Sequence, residues 1–380
     1  MNKIIAAYVT NSSKNKLYLI PDSTHNLNAK LEKLFRKMKT AFTSNINLIH
    51  NEDCSVDKIK DIFNEFVSNM CDVSDSKLEA DLSQMNDAIC VKLIVRSDTV
   101  RINFIFNKHS TRHYVKQIAA IIHAINTFLH LYVFDYNNLK INICLDQNSR
   151  NIPLIIQNDP IAKKIIYLQK NSLAFGVSGV TYKARRLINL TKTEEIIKLL
   201  FHELIHYVEL DAVLLNTKFQ NRWAIDSSDL NLSEAYTEFV SVILHSMYVT
   251  LHLNPTTELF AKILSTEINY SVCLTARILK FFQYNCDTYE NFFTGLGKRN
   301  EQPIALWEYI FLRTILFLDL DTVLEIVPDD LKLESDSKNQ LLHVFADDQT
   351  LVTRVKEFML IDADAVSVSY LAVDVDWSLI

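Results

Sequence analysis

The pattern of hydrophobic and polar positions in this chain changes near residue 190. Before that point, short alternating or continuously apolar runs predict strands, and these are separated by amphipathic helical segments. After it, apolar residues recur at helical spacing along most of the chain. We therefore predict an α+β protein whose second half is largely helical.

The individual elements follow from the same periodicities. Strands are predicted at residues 3–9, 16–20, 88–96, 99–107 and 139–145, near 164–168, and at 173–182 and 186–190. Helices are predicted at residues 27–42, 56–70, 112–134, 192–210, 232–252, 256–284, 303–326, 337–345 and 348–360. The chain has only 4 glycines and 6 prolines. Long helices with short links are expected, because few positions favour a positive φ.

Three regions are predicted along the chain. Residues 1–108 form a mixed α/β N-terminal region, residues 109–360 a second domain, and residues 361–380 a strand-like C-terminal tail. A polar segment with two prolines, residues 146–160, is the strongest candidate for a boundary. An alternating tail can pair with a sheet edge or with another molecule. The N-terminal region and the tail are therefore candidate surfaces for self-association or for an assembly partner.

Composition and charge exclude several classes of partner. The 380 residues carry a net charge of −6 at pH 7, and their lysines and arginines form no basic stripe, so no nucleic-acid partner is expected. The longest apolar stretch, residues 118–134, is interrupted by His123 and His130, so no membrane partner is expected either. The N-terminal apolar run is too short for a signal peptide. The six cysteines show no close pair and indicate free thiols. We expect a cytoplasmic protein.

Candidate chemistry lies in the helix predicted at residues 192–210. It contains His202, Glu203 and His206 in the order HELIH. Histidines four positions apart lie on one face of a helix, so both imidazoles can bind one cation. Glu203 projects beside that cation, where it can accept a proton from a bound water. Two histidines and a glutamate on so apolar a helix would be costly without a metal or hydrogen-bond partners.

A catalytic metal needs a third protein ligand. A longer motif would place glycine at position 209 and histidine at position 212, where this chain has Glu209 and Ala212. Two acids one turn apart, Glu234 and Glu238, follow at the start of the next long helix. One of them can bind the metal while the other accepts the free N–H of a ligand imidazole. Asp211 is the alternative if neither does.

HELIH followed by SEAYTEF resembles the gluzincin metallopeptidases. The resemblance implies a zincin-like metallopeptidase domain over residues 109–360, with Zn²⁺ bound by His202, His206 and Glu234. It also implies that Glu203 is the catalytic base and that Glu238 supports His202. The acid at position 238 is glutamate where the family more often has aspartate.

Residues 112–325 also resemble HExxH peptidases encoded by viruses, particularly large DNA viruses. The shared features are the long apolar helix, a basic-x-x-Pro turn at residues 150–153, a Ser-Gly-Val-Thr segment at 178–181, the strand before the motif helix, and the Trp-Glu-Tyr sequence at 307–309. The resemblance implies a viral protein and is uninformative about substrate.

Hydrolysis also requires a donor to the oxyanion and a strand that holds substrate. Tyr309 and Arg313 are the first candidates for the donor, and His245 and Tyr236 are the second. Each of these side chains is also compatible with ordinary packing. The substrate strand is either residues 175–182 or residues 186–190.

These observations predict a zinc-dependent peptidase that acts on a protein or peptide through a metal-activated water. The Gly-x-Met-Glu-Asn element of many gluzincin aminopeptidases is absent, which favours an endopeptidase. The alternatives are another metal hydrolase, a peptidase that is inactive until processed, and an inactive structural or assembly protein of a virus particle. A viral protein would be found in the host cytoplasm or the virion.

Overall fold

The computed structural model describes twelve stretches and two single positions of the chain. They are residues 27–49, 61–62, 64–65, 87–107, 111–145, 179–190, 195–215, 218–220, 229–281, 307–345, 349–359 and 371–373, with 375 and 377. The strands predicted at 3–9, 16–20 and near 164–168 lie outside these residues. So do the segment 146–160 and most of the helix predicted at 56–70 and of the C-terminal tail. The division into regions 1–108, 109–360 and 361–380 stays a prediction.

The chain divides into two compact units. The helical unit contains Met1–Phe35, Ile152–Tyr167 and Glu209–Asp374, and the sheet unit contains Arg36–Asn151, Leu168–Val208 and Val375–Ile380. The described strands are β1 (Asn47–Ile49), β2 (Asp87–Val95), β3 (Asp98–Phe106), β4 (Lys140–Leu145), β5 (Gly179–Tyr182), β6 (Leu187–Leu190), β7 (Lys218–Gln220) and β8 (Asp229–Asn231).

The described helices are named in chain order. They are α1 (Ala29–Phe42), α2 (Thr111–Leu131), α3 (Ile196–Val208), α4 (Leu232–Leu253), α5 (Thr257–Phe281), α6 (Arg313–Leu318), α7 (Leu320–Ile326), α8 (Ser335–Val344) and α9 (Gln349–Met359). Helices and a mixed sheet together confirm the predicted α+β class. Within the described residues, none of these helices combines the length and apolar character that a bilayer-spanning segment needs.

The sheet unit is built on six strands in the order β1-β2-β3-β4-β6-β5. Strands β3, β4 and β6 are parallel, and β5 is antiparallel to β6 at the end of the sheet. Strand β6 is buried throughout and β4 is buried except at its first residue, as expected for parallel strands covered on both faces. Helix α2 connects β3 to β4, and its Phe128 stacks on Phe201 of α3 at 5.9 Å between ring centroids.

A row of buried asparagines crosses the three parallel strands. The amide of Asn103 donates to Asn142 at 2.8 Å, and that of Asn142 donates to Asn189 at 3.1 Å. Glu65 accepts a further bond from Asn142 at 3.1 Å. Because a shift by one residue would separate these amides, the row favours the observed register of the strands that precede α3.

The helical unit has α4 at its centre. Every residue of α4 except Glu234, His252 and Leu253 is buried. The side chain of Asn231 caps the helix by accepting a bond from the backbone N–H of Ser233 at 3.0 Å. An all-round buried helix fixes the direction of each polar side chain that it carries.

Three local predictions differ from the structure. The single helix predicted at 303–326 is a π-helical segment, Trp307–Leu312, followed by α6 and α7, with a break at Asp319. Between the helices predicted at 192–210 and 232–252, where no further element was predicted, the structure has a 3₁₀ turn, Ala212–Leu214, and the strand pair β7–β8. Cys90 is disulfide-bonded, whereas Cys144 and Cys273 form no disulfide, as expected.

Candidate metal centre

Helix α3 is almost entirely enclosed. His202 is 5% exposed and Glu203 is 4% exposed, whereas His206 is half-buried. The helix ends at Val208 because Glu209 adopts a left-handed conformation with φ 61°. That residue stands where the longer HExxH motif has glycine, so this chain makes the same kind of helix-ending turn with a glutamate.

The two motif histidines point their rings toward one location. Their Nε2 atoms are 3.2 Å apart, and the ring planes are inclined at 77°. Two nitrogens bound to one tetrahedral Zn²⁺ at about 2.0–2.1 Å would lie about 3.3–3.4 Å apart. The observed separation therefore fits a pair of ligands to a single zinc ion.

Glu203 is held by the neighbouring strand β5. The hydroxyl of Thr181 lies 2.7 Å from the carboxylate Oε2 of Glu203 and 2.9 Å from its backbone carbonyl oxygen, with geometry to donate to either. No role was predicted for Thr181, although it belongs to the Ser-Gly-Val-Thr segment. The sequence does not show that strand β5 lies beside the motif helix. Thr181 can therefore be identified as a neighbour of Glu203 only from the structure.

Glu234 lies in the first turn of α4, directly after the cap. Its side chain is half-buried, and its Oε2 accepts a hydrogen bond from the Tyr309 hydroxyl at 3.2 Å. The π-helical segment that carries Tyr309 is a rare conformation that occurs often at functional sites. Tyr309 therefore orients the carboxylate of Glu234, which was predicted to be the third ligand.

Among the described residues, His202, His206 and Glu234 form one group of potential metal ligands. A ligand atom of each lies within 4.8 Å of those of the other two. Two imidazoles and a carboxylate are also the donor set of several zinc hydrolases. The residues present therefore fit Zn²⁺ in both chemistry and spacing.

Glu238 and Arg313 form a buried ion pair one turn further along α4. Nη1 of Arg313 donates to Oε1 of Glu238 at 3.1 Å, with side-chain exposures of 0% and 2%. Nη2 of Arg313 donates to the hydroxyl of Ser271 on α5 at 3.1 Å. Arg313, predicted as an oxyanion donor, thus lies against the acid predicted to support His202.

The other candidates have partners of their own. The hydroxyl of Tyr236 donates to the backbone oxygen of Leu331 at 2.8 Å. Asp211 accepts a bond from the hydroxyl of Ser233, which links the turn after α3 to the start of α4. His245 is fully buried on the same helix. Tyr236 therefore lies in a structural contact, and Asp211 anchors the cap region.

No family model matches the chain, and no solved structure matches it. The uncharacterized protein R210 of Acanthamoeba polyphaga mimivirus is 36% identical to it over 355 residues, which cover 92% of this chain and 91% of the relative. This relative confirms the predicted resemblance to viral proteins, whereas the resemblance to peptidases stays a prediction. The chain belongs to the viral protein family that includes protein R210 of this mimivirus.

Proposed function

We propose that this protein is a zinc-dependent peptidase of the zincin-like, gluzincin type. The observation that carries the proposal is the group of His202, His206 and Glu234, with the two imidazole nitrogens 3.2 Å apart. Two histidines that served only in packing would not be expected to place both Nε2 atoms at one location beside a carboxylate.

The roles of the chain's own groups follow from their positions. His202, His206 and Glu234 would hold Zn²⁺, which when bound polarises a carbonyl group and lowers the pKa of a coordinated water towards about 7. The Glu203 carboxylate would accept the proton of the attacking water and return it to the leaving amine. No covalent intermediate with the protein is required.

Tyr309 and Arg313 separate into two roles. The Tyr309 hydroxyl, which donates to Glu234 at 3.2 Å, is a neutral donor near the ligand group. It is our candidate to stabilise the oxyanion, for which it would exchange its bond to Glu234, because a hydroxyl has a single proton to donate. Arg313 is fully buried and bonded to Glu238 and Ser271, so we assign it the positioning of α4. Holding the charge of Glu238 in one place fixes the helix turn next to Glu234.

An extended peptide is the substrate that suits the sheet. Among the described strands, β6 has neighbours on both sides, whereas β5 lies at the end of the sheet. Residues 179–182 are therefore favoured over 186–190 as the strand whose outer edge would pair with substrate backbone. Such pairing recognises main chain, which is consistent with an endopeptidase.

The proposal is tested on the full chain by metal analysis and peptide hydrolysis. We expect about one zinc per chain, lost in His202→Ala and His206→Ala but kept in a control, His343→Ala, which removes an exposed histidine from α8. Glu203→Gln should keep zinc and lose nearly all turnover on a peptide library, because an amide cannot act as the base. Full zinc content in both ligand variants would overturn the metal site. A wild type that binds zinc without turnover would instead favour an inactive structural or assembly protein.

A further inference from the structure

Two alternate residues of strand β5, Gly179 and Thr181, contact the side chain of Glu203. Residues two apart on a strand face the same side of the sheet. Here that side faces α3, the helix of the HExxH motif. Both contacts lie within the sheet unit and do not depend on any other part of the molecule.

Thr181 contributes a directed hydrogen bond. A hydroxyl has a single proton, and the closer acceptor is Oε2 of Glu203 at 2.7 Å. Bonds to a charged carboxylate are stronger than neutral ones, so this acceptor is favoured over the backbone oxygen at 2.9 Å. The bond restricts rotation of the carboxylate about its last side-chain torsion.

Gly179 has no side chain and so leaves space for the side chain of Glu203. A Cβ at this position would lie 2.6 Å from Oε1, 2.9 Å from Cγ and 3.0 Å from Cδ of Glu203. The backbone of Gly179 has no positive φ, so close approach of the glutamate is the feature that requires glycine here. Any larger residue would displace the Glu203 side chain from its place against strand β5.

We propose that Gly179 and Thr181 form a seat for the Glu203 carboxylate and are positioning residues for the base. The proposal rests on the function proposed above. The same strand would also pair with substrate backbone, so one element of the sheet fixes both the base and the peptide. A misplacement of about 1 Å at a reacting group can cost about 10²-fold in rate.

The decisive comparison is between Thr181→Val and Thr181→Ser. Valine keeps the shape and removes the donor, whereas serine keeps the donor. We expect Thr181→Val to lower kcat about 10–100-fold with KM within about threefold, and Thr181→Ser to stay within about threefold of wild type in kcat. Thr266→Val, the same change at an exposed position of α5, is the control and should match wild type. Zinc content should be unchanged in all three variants, since none removes a ligand.

Equal losses in the serine and valine variants, or a change in KM alone, would overturn the role of Thr181. Gly179→Ala should lower kcat by about 10²-fold and keep zinc. If Gly179→Ala fails to fold, the comparison of Thr181→Val with Thr181→Ser still tests the proposal.

Crystal structures of wild type and variants test the seat without any turnover. In Gly179→Ala the Glu203 carboxylate should move away from β5, and in Thr181→Val its carboxylate should rotate. An unmoved carboxylate in both would overturn the seat. If wild type hydrolyses no peptide while the carboxylate moves as expected, the peptidase function fails and the seat stands.

Discussion

Helices α3 and α4 are both enclosed by apolar residues, yet their polar groups are satisfied in different ways. In α3 the two histidines direct their Nε2 atoms to one location, 3.2 Å apart. In α4 the deeper acid, Glu238, forms an ion pair with the guanidinium of Arg313, whereas Glu234 accepts a hydrogen bond from the neutral hydroxyl of Tyr309. Glu238 is thus compensated inside the protein. The histidines and Glu234 offer atoms of the types that bind a cation.

The largest effect expected from this difference is the loss of Arg313. Removing one member of a buried ion pair leaves an uncompensated charge and costs about 3–5 kcal/mol. Arg313→Met should therefore lower the free energy of unfolding by about that amount in urea titrations with chelator present. Replacing both members, as in Arg313→Met with Glu238→Leu, should recover at least half of the loss. A single variant within about 1 kcal/mol of wild type would mean that Glu238 is not compensated by Arg313.

A second buried acid in the helical unit provides a pH-dependent effect. Burial raises the pKa of Glu267 to about 7, against the opposing effect of the backbone N–H groups of Ala372 and Val373. These groups donate to its two oxygens at 2.9 Å and 2.8 Å. The unfolded chain has an ordinary carboxyl pKa near 4.5, so the native state binds the proton more tightly.

The contribution of Glu267 to stability is therefore present at low pH and is lost as pH rises from about 4.5 to about 7. Its full size is roughly 3 kcal/mol. Glu267→Gln mimics the protonated form and should flatten this part of the pH profile of unfolding free energy. An unchanged pH profile in the variant would assign the dependence to other groups.

The proposed ligands could be predicted from the sequence. His202 and His206 are four positions apart, which is a local relation, and Glu234 was identified by its resemblance to a known motif. The contacts between distant segments were not readable. Thr181 reaches Glu203 across 22 positions, and Arg313 reaches Glu238 across 75, so periodicity does not predict which partners these residues meet.

The length of an element also determines how well its boundaries can be predicted from periodicity. The predicted helices 232–252 and 256–284 agree closely with α4 and α5, because long apolar periodicity is a strong signal. The π-helical segment Trp307–Leu312 was missed, since six residues are too few to distinguish its period from that of an α-helix. Strand β1, with three residues, is shorter than any periodicity can establish.

The two acids of α4 should differ in their effect on zinc. Glu234→Ala would remove a proposed ligand, whereas Glu238→Gln keeps the shape of a residue that acts through its neighbours. We expect the glutamine variant to lose about 10–100-fold in zinc affinity, and the alanine variant to lose at least about tenfold more. Competition titrations with a zinc chelator, run side by side, measure the gap. The reverse ranking would make Glu238 the ligand, and negligible losses in both would direct the search to Asp211.

The smallest expected effect concerns the end of α3. Glu209 holds φ 61°, and a non-glycine residue in the left-handed region is strained by about 1–2 kcal/mol. Glu209→Gly relieves that strain but makes the unfolded chain more flexible, so the net gain should be at most about 1 kcal/mol. Glu209→Val should instead be destabilised, because β-branched residues tolerate this conformation least. The two variants are compared by urea unfolding with chelator present. If valine is tolerated as well as glycine, residue 209 does not adopt the left-handed conformation. The helix that carries the two histidines would then end without a left-handed residue at the position of the motif's glycine.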